Sequence, residues 1–74
     1  MDHPVHSPSH YTKGRIEAID IIEDVVAGAP EPVVGYHVGQ ALKYLLRVWH
    51  KENASQDLRK AIWYLNRAID RLDA

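Results

Sequence analysis

The stretch Gly35 to His50, GYHVGQALKYLLRVWH, constrains this chain most, because its apolar residues recur at helical and not at strand spacing. Val38, Ala41, Leu42, Leu45, Leu46 and Trp49 fall on one side of a helix. Tyr36, Gln40, Lys43, Arg47 and His50 fall at i, i+4, i+7, i+11 and i+14 on the other. A stripe that combines cations, hydrogen-bonding tips and an aromatic ring suits a phosphorylated, ring-bearing ligand. The plain alternative is a solvated helix face. Lys43 and Arg47 are both expected at the surface, so replacing either is expected to leave the fold intact.

The flanking sequence completes an all-α reading. Ile16, Ile19, Ile22 and Val26 define a first helix over about 15–27, closed by Gly28. Its β-branched content is high, so packing must hold it rather than intrinsic propensity. Pro30-Glu31-Pro32 is a rigid connector, with Pro32 where a first helical turn tolerates proline. The second helix is expected over about 33–51. Gly35 and Gly39, four residues apart, admit close approach of another helix or of a ligand, close helix packing being the plainer use. Asn53 or Ser55 caps a third helix over about 54–72, whose apolar side holds Leu58, Ala61, Ile62, Leu65, Ala68, Ile69 and Leu72. The short connector makes the second and third helices an antiparallel hairpin with the first packed across it. Residues 1–14, rich in proline and histidine, read as an irregular N-terminal arm, leaving 15–74 as a single helical domain.

Seventy-four residues bury too small a fraction of their surface to be generously stable alone, so a homo-oligomer is expected. Nine Lys and Arg against ten Asp and Glu give a formal net charge of −1, which disfavours long nucleic acid as the main partner. The absence of cysteine excludes a disulfide scaffold, a thiolate nucleophile and Cys-ligated zinc. No run resembles a signal peptide or a membrane span, so a cytoplasmic protein without membrane contact is expected.

Charged rows supply the remaining candidates. Glu17, Asp20 and Asp24 lie at i, i+3 and i+7 on the first helix, a costly arrangement unless cations or a divalent metal counter it. Mg²⁺ favours one or two carboxylates plus phosphate oxygens, so Glu17 and Asp20 facing Lys43 and Arg47 would make a nucleotide-phosphate site. The alternative is a solvated acidic stripe or salt bridges to the basic one. Asp57, Lys60, Tyr64, Arg67 and Arg71 form a mixed row on the third helix, with Trp63 beside it expected under a neighbouring segment or in a subunit interface. His3, His6 and His10 sit on a proline-interrupted arm that cannot preset a metal geometry. His10 and Tyr11, followed by Lys13 and Arg15 at a helix entrance, stand where an anion binds. No Walker loop, Gly-x-Ser-x-Gly elbow or His-Glu-x-x-His motif is present.

Four ordered blocks carry a family resemblance: Pro8-Ser9-His10-Tyr11, Ile16 to Asp20, Gly39 to Arg47, and Asp57 to Leu65. They resemble the SaV-like family of small tailed-phage proteins, whose members are described as a domain of unknown function or as phage nucleotide kinases. The family usually carries Gly-Asn where this chain has Gly39-Gln40. The resemblance implies a phage origin, action in the host cytoplasm and an all-helical fold. It also implies a link to a longer phage enzyme that phosphorylates deoxynucleoside monophosphates without a Walker motif. By motif it singles out His10, Tyr11, Glu17, Asp20, Lys43, Tyr44, Arg47, Asp57, Lys60 and Tyr64. Tyr44 stands off the polar stripe, so motif and periodicity disagree there.

Together these readings lead to an expectation of nucleotide or phosphorylated-metabolite binding. His10, Tyr11, Gln40, Lys43, Arg47, Lys60 and Tyr64 are the ligand contacts, and Glu17 and Asp20 the Mg²⁺ contacts. Nucleotide-kinase-like phosphoryl transfer, sequestration of a nucleotide signal of host defence without catalysis, and docking on a host protein are the functional alternatives.

Overall fold

The computed structural model describes residues 17–50 and 52–74. They form three helices, α1 Ala18–Ala27, α2 Pro32–Leu46 and α3 Ala54–Asp73, with no strand among the described residues. The ends follow from local chemistry. Gly28 closes α1, its N–H donating to the Val25 carbonyl at 3.1 Å. Glu31 caps α2 by accepting from the Val33 and Val34 N–H groups at 2.9 and 3.3 Å, and Pro32 occupies the first helical position. Asn53, not Ser55, caps α3, accepting from the Gln56 N–H at 2.9 Å.

One boundary differs from expectation. The second helix stops at Leu46 rather than continuing to residue 51; Arg47 is its C-cap, and 47–50 form turns. Past the helix end Val48 is buried, 5% exposed, whereas Trp49 is 80% exposed. Trp49 therefore does not belong to the apolar side on which its spacing placed it.

Two different seams join the helices. Between α1 and α2 the glycines act as contact points: a Cβ at Gly35 would lie 3.1 Å from the Ala29 Cβ, and one at Gly39 would lie 3.0 Å from a Val26 methyl. Close helix packing is thus how this chain uses the pair. Between α2 and α3, Val34, Ala41 and Val48, seven residues apart, bury with Ala61 and Ala68, also seven apart. Small residues at this period let the two helices run side by side at close range.

The first helix packs on the hairpin through α2 alone and makes no packing contact with α3. The result is a single layer. Its Cα atoms extend 40 × 33 × 12 Å, and the radius of gyration is 14.0 Å, against about 11 Å for a compact chain of this length. Among the described residues three of the five buried apolar side chains are alanines, so this part of the interior holds little apolar volume. No described helix is long and apolar enough to cross a membrane.

Candidate functional site

Tyr44 lies where α2 meets α3, and its ring stacks on that of Tyr64, with centroids 6.1 Å apart and planes 16° from parallel. Three cations gather on it. Lys43 Nζ stands 4.8 Å from the Tyr44 centroid, the Arg47 guanidinium carbon 4.8 Å, and Lys60 Nζ 5.4 Å. Tyr36 meets Tyr64 edge-on at 6.2 Å, and His37 lies between them at 5.4 and 6.0 Å. Trp63 extends the row, edge-on to Tyr64 at 4.9 Å, with the Arg67 guanidinium 5.2 Å over its indole.

Register explains this grouping. Lys43 immediately precedes Tyr44 and Lys60 immediately precedes Ala61, and both reach the same ring. Residues one place before the seam therefore lie on one side of the α2–α3 pair, and Tyr36 and Gln40 share it through their positions before His37 and Ala41. The expected contacts Gln40, Lys43, Arg47, Lys60 and Tyr64 thus come together on one face. His10 and Tyr11 lie outside the described residues.

The cations differ in how they are neutralised. Arg47 donates to Asp57 through Nε and a terminal nitrogen, both at 3.2 Å, and the Asp57 side chain is 5% exposed. This hydrogen-bonded pairing raises the Arg47 pKa above its ordinary value. Arg47 is therefore not a free surface residue that can be replaced without consequence: its loss leaves a buried carboxylate without its counter-charge. Lys43 and Lys60 have no salt bridge to a carboxylate among the described residues. Burial, and then the neighbouring Tyr36 and Tyr44, push the Tyr64 phenol upward, so near neutral pH it serves as a hydrogen-bond donor and not a base.

The carboxylates of α1 occupy other ground. Asp20 is 6% exposed and Glu17 is exposed at the helix start. The hollow of about 420 Å³ between α1 and the end of α2 is lined from α1 by Ala18, Ile21 and Ile22, opposite Lys43, Leu46 and Arg47. Apolar groups, rather than Glu17 and Asp20, face the two cations there. No group of three or more histidines and carboxylates suited to a metal occurs among the described residues. A second, polar hollow of about 490 Å³ lies beside the Arg47–Asp57 pair, lined also by His50, Glu52, Asn53 and Gln56.

Periodicity alone missed two members of this site. Tyr44 falls off the stripe because it sits on the seam, and only the family resemblance pointed to it. Asp57 reads by spacing only as one member of a mixed row on α3 and is singled out by the family resemblance, although the short connector already brings the first turn of α3 beside the end of α2.

Over the described residues, fold and face define an all-α three-helix domain with a cation–aromatic surface across a helical hairpin. The family described as a protein of unknown function, DUF3310, matches residues 5–66, and the chain belongs to that family. No curated protein and no solved structure matches the chain.

Proposed function

We propose that the cation–aromatic face binds a nucleotide or a related phosphorylated metabolite. The observation that carries this reading is the pair Lys43 and Lys60, two ammonium groups without a carboxylate partner among the described residues, both beside the Tyr44 ring. Two ammonium groups 4.8 and 5.4 Å from one ring centroid suit a phosphate, and the exposed Tyr36 and Trp63 rings offer surfaces on which a base stacks. Gln40 and the Tyr64 hydroxyl would supply directional hydrogen bonds, and Arg47, held by Asp57, would fix the edge of the face. Mg²⁺ would enter this proposal with the ligand's own phosphates, since Glu17 and Asp20, expected to meet it, lie away from the cations of this face. His10 and Tyr11 would close the site from the arm.

The resemblance to small tailed-phage proteins supports a phage setting in the host cytoplasm, and to nucleotide kinases a nucleotide as the ligand class. Sequestration needs only these binding groups, whereas phosphoryl transfer would also need a positioned base. A thermal-shift screen of nucleoside mono-, di- and triphosphates, with and without Mg²⁺, tests the proposal. A ligand at a hundredfold its Kd stabilises by about 2.7 kcal/mol, so a dose-dependent rise in Tm is expected. No response to any nucleoside phosphate, with specific retention of one host protein, would favour an interaction module instead. If a ligand binds, assaying phosphoryl transfer to each monophosphate separates a kinase from a sequestering protein.

A further inference from the structure

On α3, Leu58, Ile62, Leu65, Ile69 and Leu72 recur at alternating spacings of four and three, which is a heptad seam with isoleucine at a and leucine at d. This seam is not the one that meets α2. Ala61 and Ala68 make that contact and are buried, whereas the five aliphatic residues are 38–57% exposed. Val38, Leu42 and Leu45, each one place past the α2 side of the seam, lie on the same side of the pair.

We propose that a second copy of this chain covers this face, with the two α3 helices packed antiparallel about a twofold axis. Two features of the surface commit it to a copy of itself. First, the five half-exposed side chains present roughly 450 Å² of apolar surface, the size of the largest patch on a typical monomer, which is often an interaction site. The α2 residues widen it toward the roughly 800 Å² that each partner contributes to a standard interface. Second, the charges along α3 are self-complementary in one direction only. Arg59, Asn66 and Asp73, each following a leucine of the seam, line its outer flank seven residues apart, while the inner flank is alanine. An antiparallel copy sets Arg59 against Asp73 of the second copy at both ends and Asn66 against itself at the axis; a parallel copy sets these groups against alanine. The resulting four-helix core leaves the cation–aromatic face outward on both copies, so this inference stands or falls separately from the proposed ligand.

Sedimentation equilibrium of the full chain tests it. The wild type is expected at twice the 8.4 kDa chain mass. Ile62→Glu combined with Ile69→Glu is expected to sediment as a monomer, with a loss of association on the order of hundredfold or more, while far-ultraviolet circular dichroism keeps its helical signal. Should that variant lose its helices, the exposed charges decide. Arg59→Asp or Asp73→Arg alone is expected to weaken the dimer about fivefold or more, and the two together to restore it. A wild type that stays monomeric at hundreds of micromolar, an assembly that survives the paired glutamates, or a charge swap that fails to restore association would overturn the proposal.

Discussion

The two sides of the α2–α3 hairpin differ by a step of one or two residues in register and by almost everything in chemistry. Positions just before the seam hold Gln40, Lys43 and Lys60 around stacked tyrosines; positions just after it hold Val38, Leu42, Leu45, Leu58, Ile62, Leu65 and Ile69. A helix advances about 100° per residue, so neighbours in sequence diverge to opposite sides of a flat pair. One alanine-rich seam thereby supports a polar surface on one side and an apolar one on the other. Among the described residues α1 packs only on α2, so no third described helix covers either side of α3. A single layer keeps both surfaces open, whereas a closed bundle would bury one.

The largest expected effect comes from emptying the polar side. Lys43→Ala with Lys60→Ala removes two charge-assisted contacts, each about 1.5–3 kcal/mol, so ligand affinity is expected to fall by about a hundredfold or more in isothermal titration. Ile62→Glu on the other side is expected to leave that affinity unchanged, which separates the two surfaces directly. Attacking the shared seam should instead damage both. Ala61, 1% exposed, has no room for added methylenes, and Ala61→Leu is expected to cost about 1–3 kcal/mol, read as a fall of roughly 4–20 °C in a thermal melt.

The other edge of α2 gives a narrower outcome. Gly39→Val places branched carbon where a Cβ alone already comes within 3.0 Å of Val26, so α1 is expected to loosen while the hairpin persists. Faster amide exchange over residues 18–27, with α3 amides little changed, would record this.

The smallest effect concerns Glu31, which ties the start of α2 to the end of α3. Its Oε2 accepts from Arg71 at 2.7 Å, and that bond, helped by the Val33 and Val34 N–H groups, lowers its pKa. A carboxylate with a depressed folded pKa contributes stability above its unfolded value and loses it as pH falls through the folded one. Wild type is therefore expected to lose this contribution below about pH 4.5, and Glu31→Gln to lack it at neutral pH and to show a flatter acid limb. Thermal melts from pH 7 to 3 would read the difference.

Much of this architecture was legible from local chemistry. Pro32 at the start of α2, Gly28 after α1, Asn53 three residues before Gln56, and the glycine pair that seats α1 each carry their physical reason within a few residues. The polar contacts on α2 were legible because Gln40 and Lys43 keep helical period. What spacing could not supply was the identity of each face's partner. The apolar side of α3 reads as one stripe from Leu58 to Leu72, yet alanines face α2 while leucines and isoleucines face outward; periodicity reports an apolar direction, not what covers it. The end of α2 falls short of the expected residue 51 because RVWHK continues a plausible helical pattern, so spacing alone does not register the C-cap at Arg47, where the side chain is paired with Asp57. The same pair removes Arg47 from the set of free surface cations, a result that depends on a residue ten positions along.

Backbone amide chemical shifts, followed while a nucleoside phosphate that raises Tm is titrated into the full chain, test the division of labour most directly. Shifts are expected to concentrate over residues 36–47 and 60–67, strongest near Lys43, Tyr44 and Lys60, and to be abolished by Lys43→Ala with Lys60→Ala. Shifts that instead follow Leu58, Leu65, Ile69 and Leu72, or that persist unchanged in the double alanine variant, would contradict it.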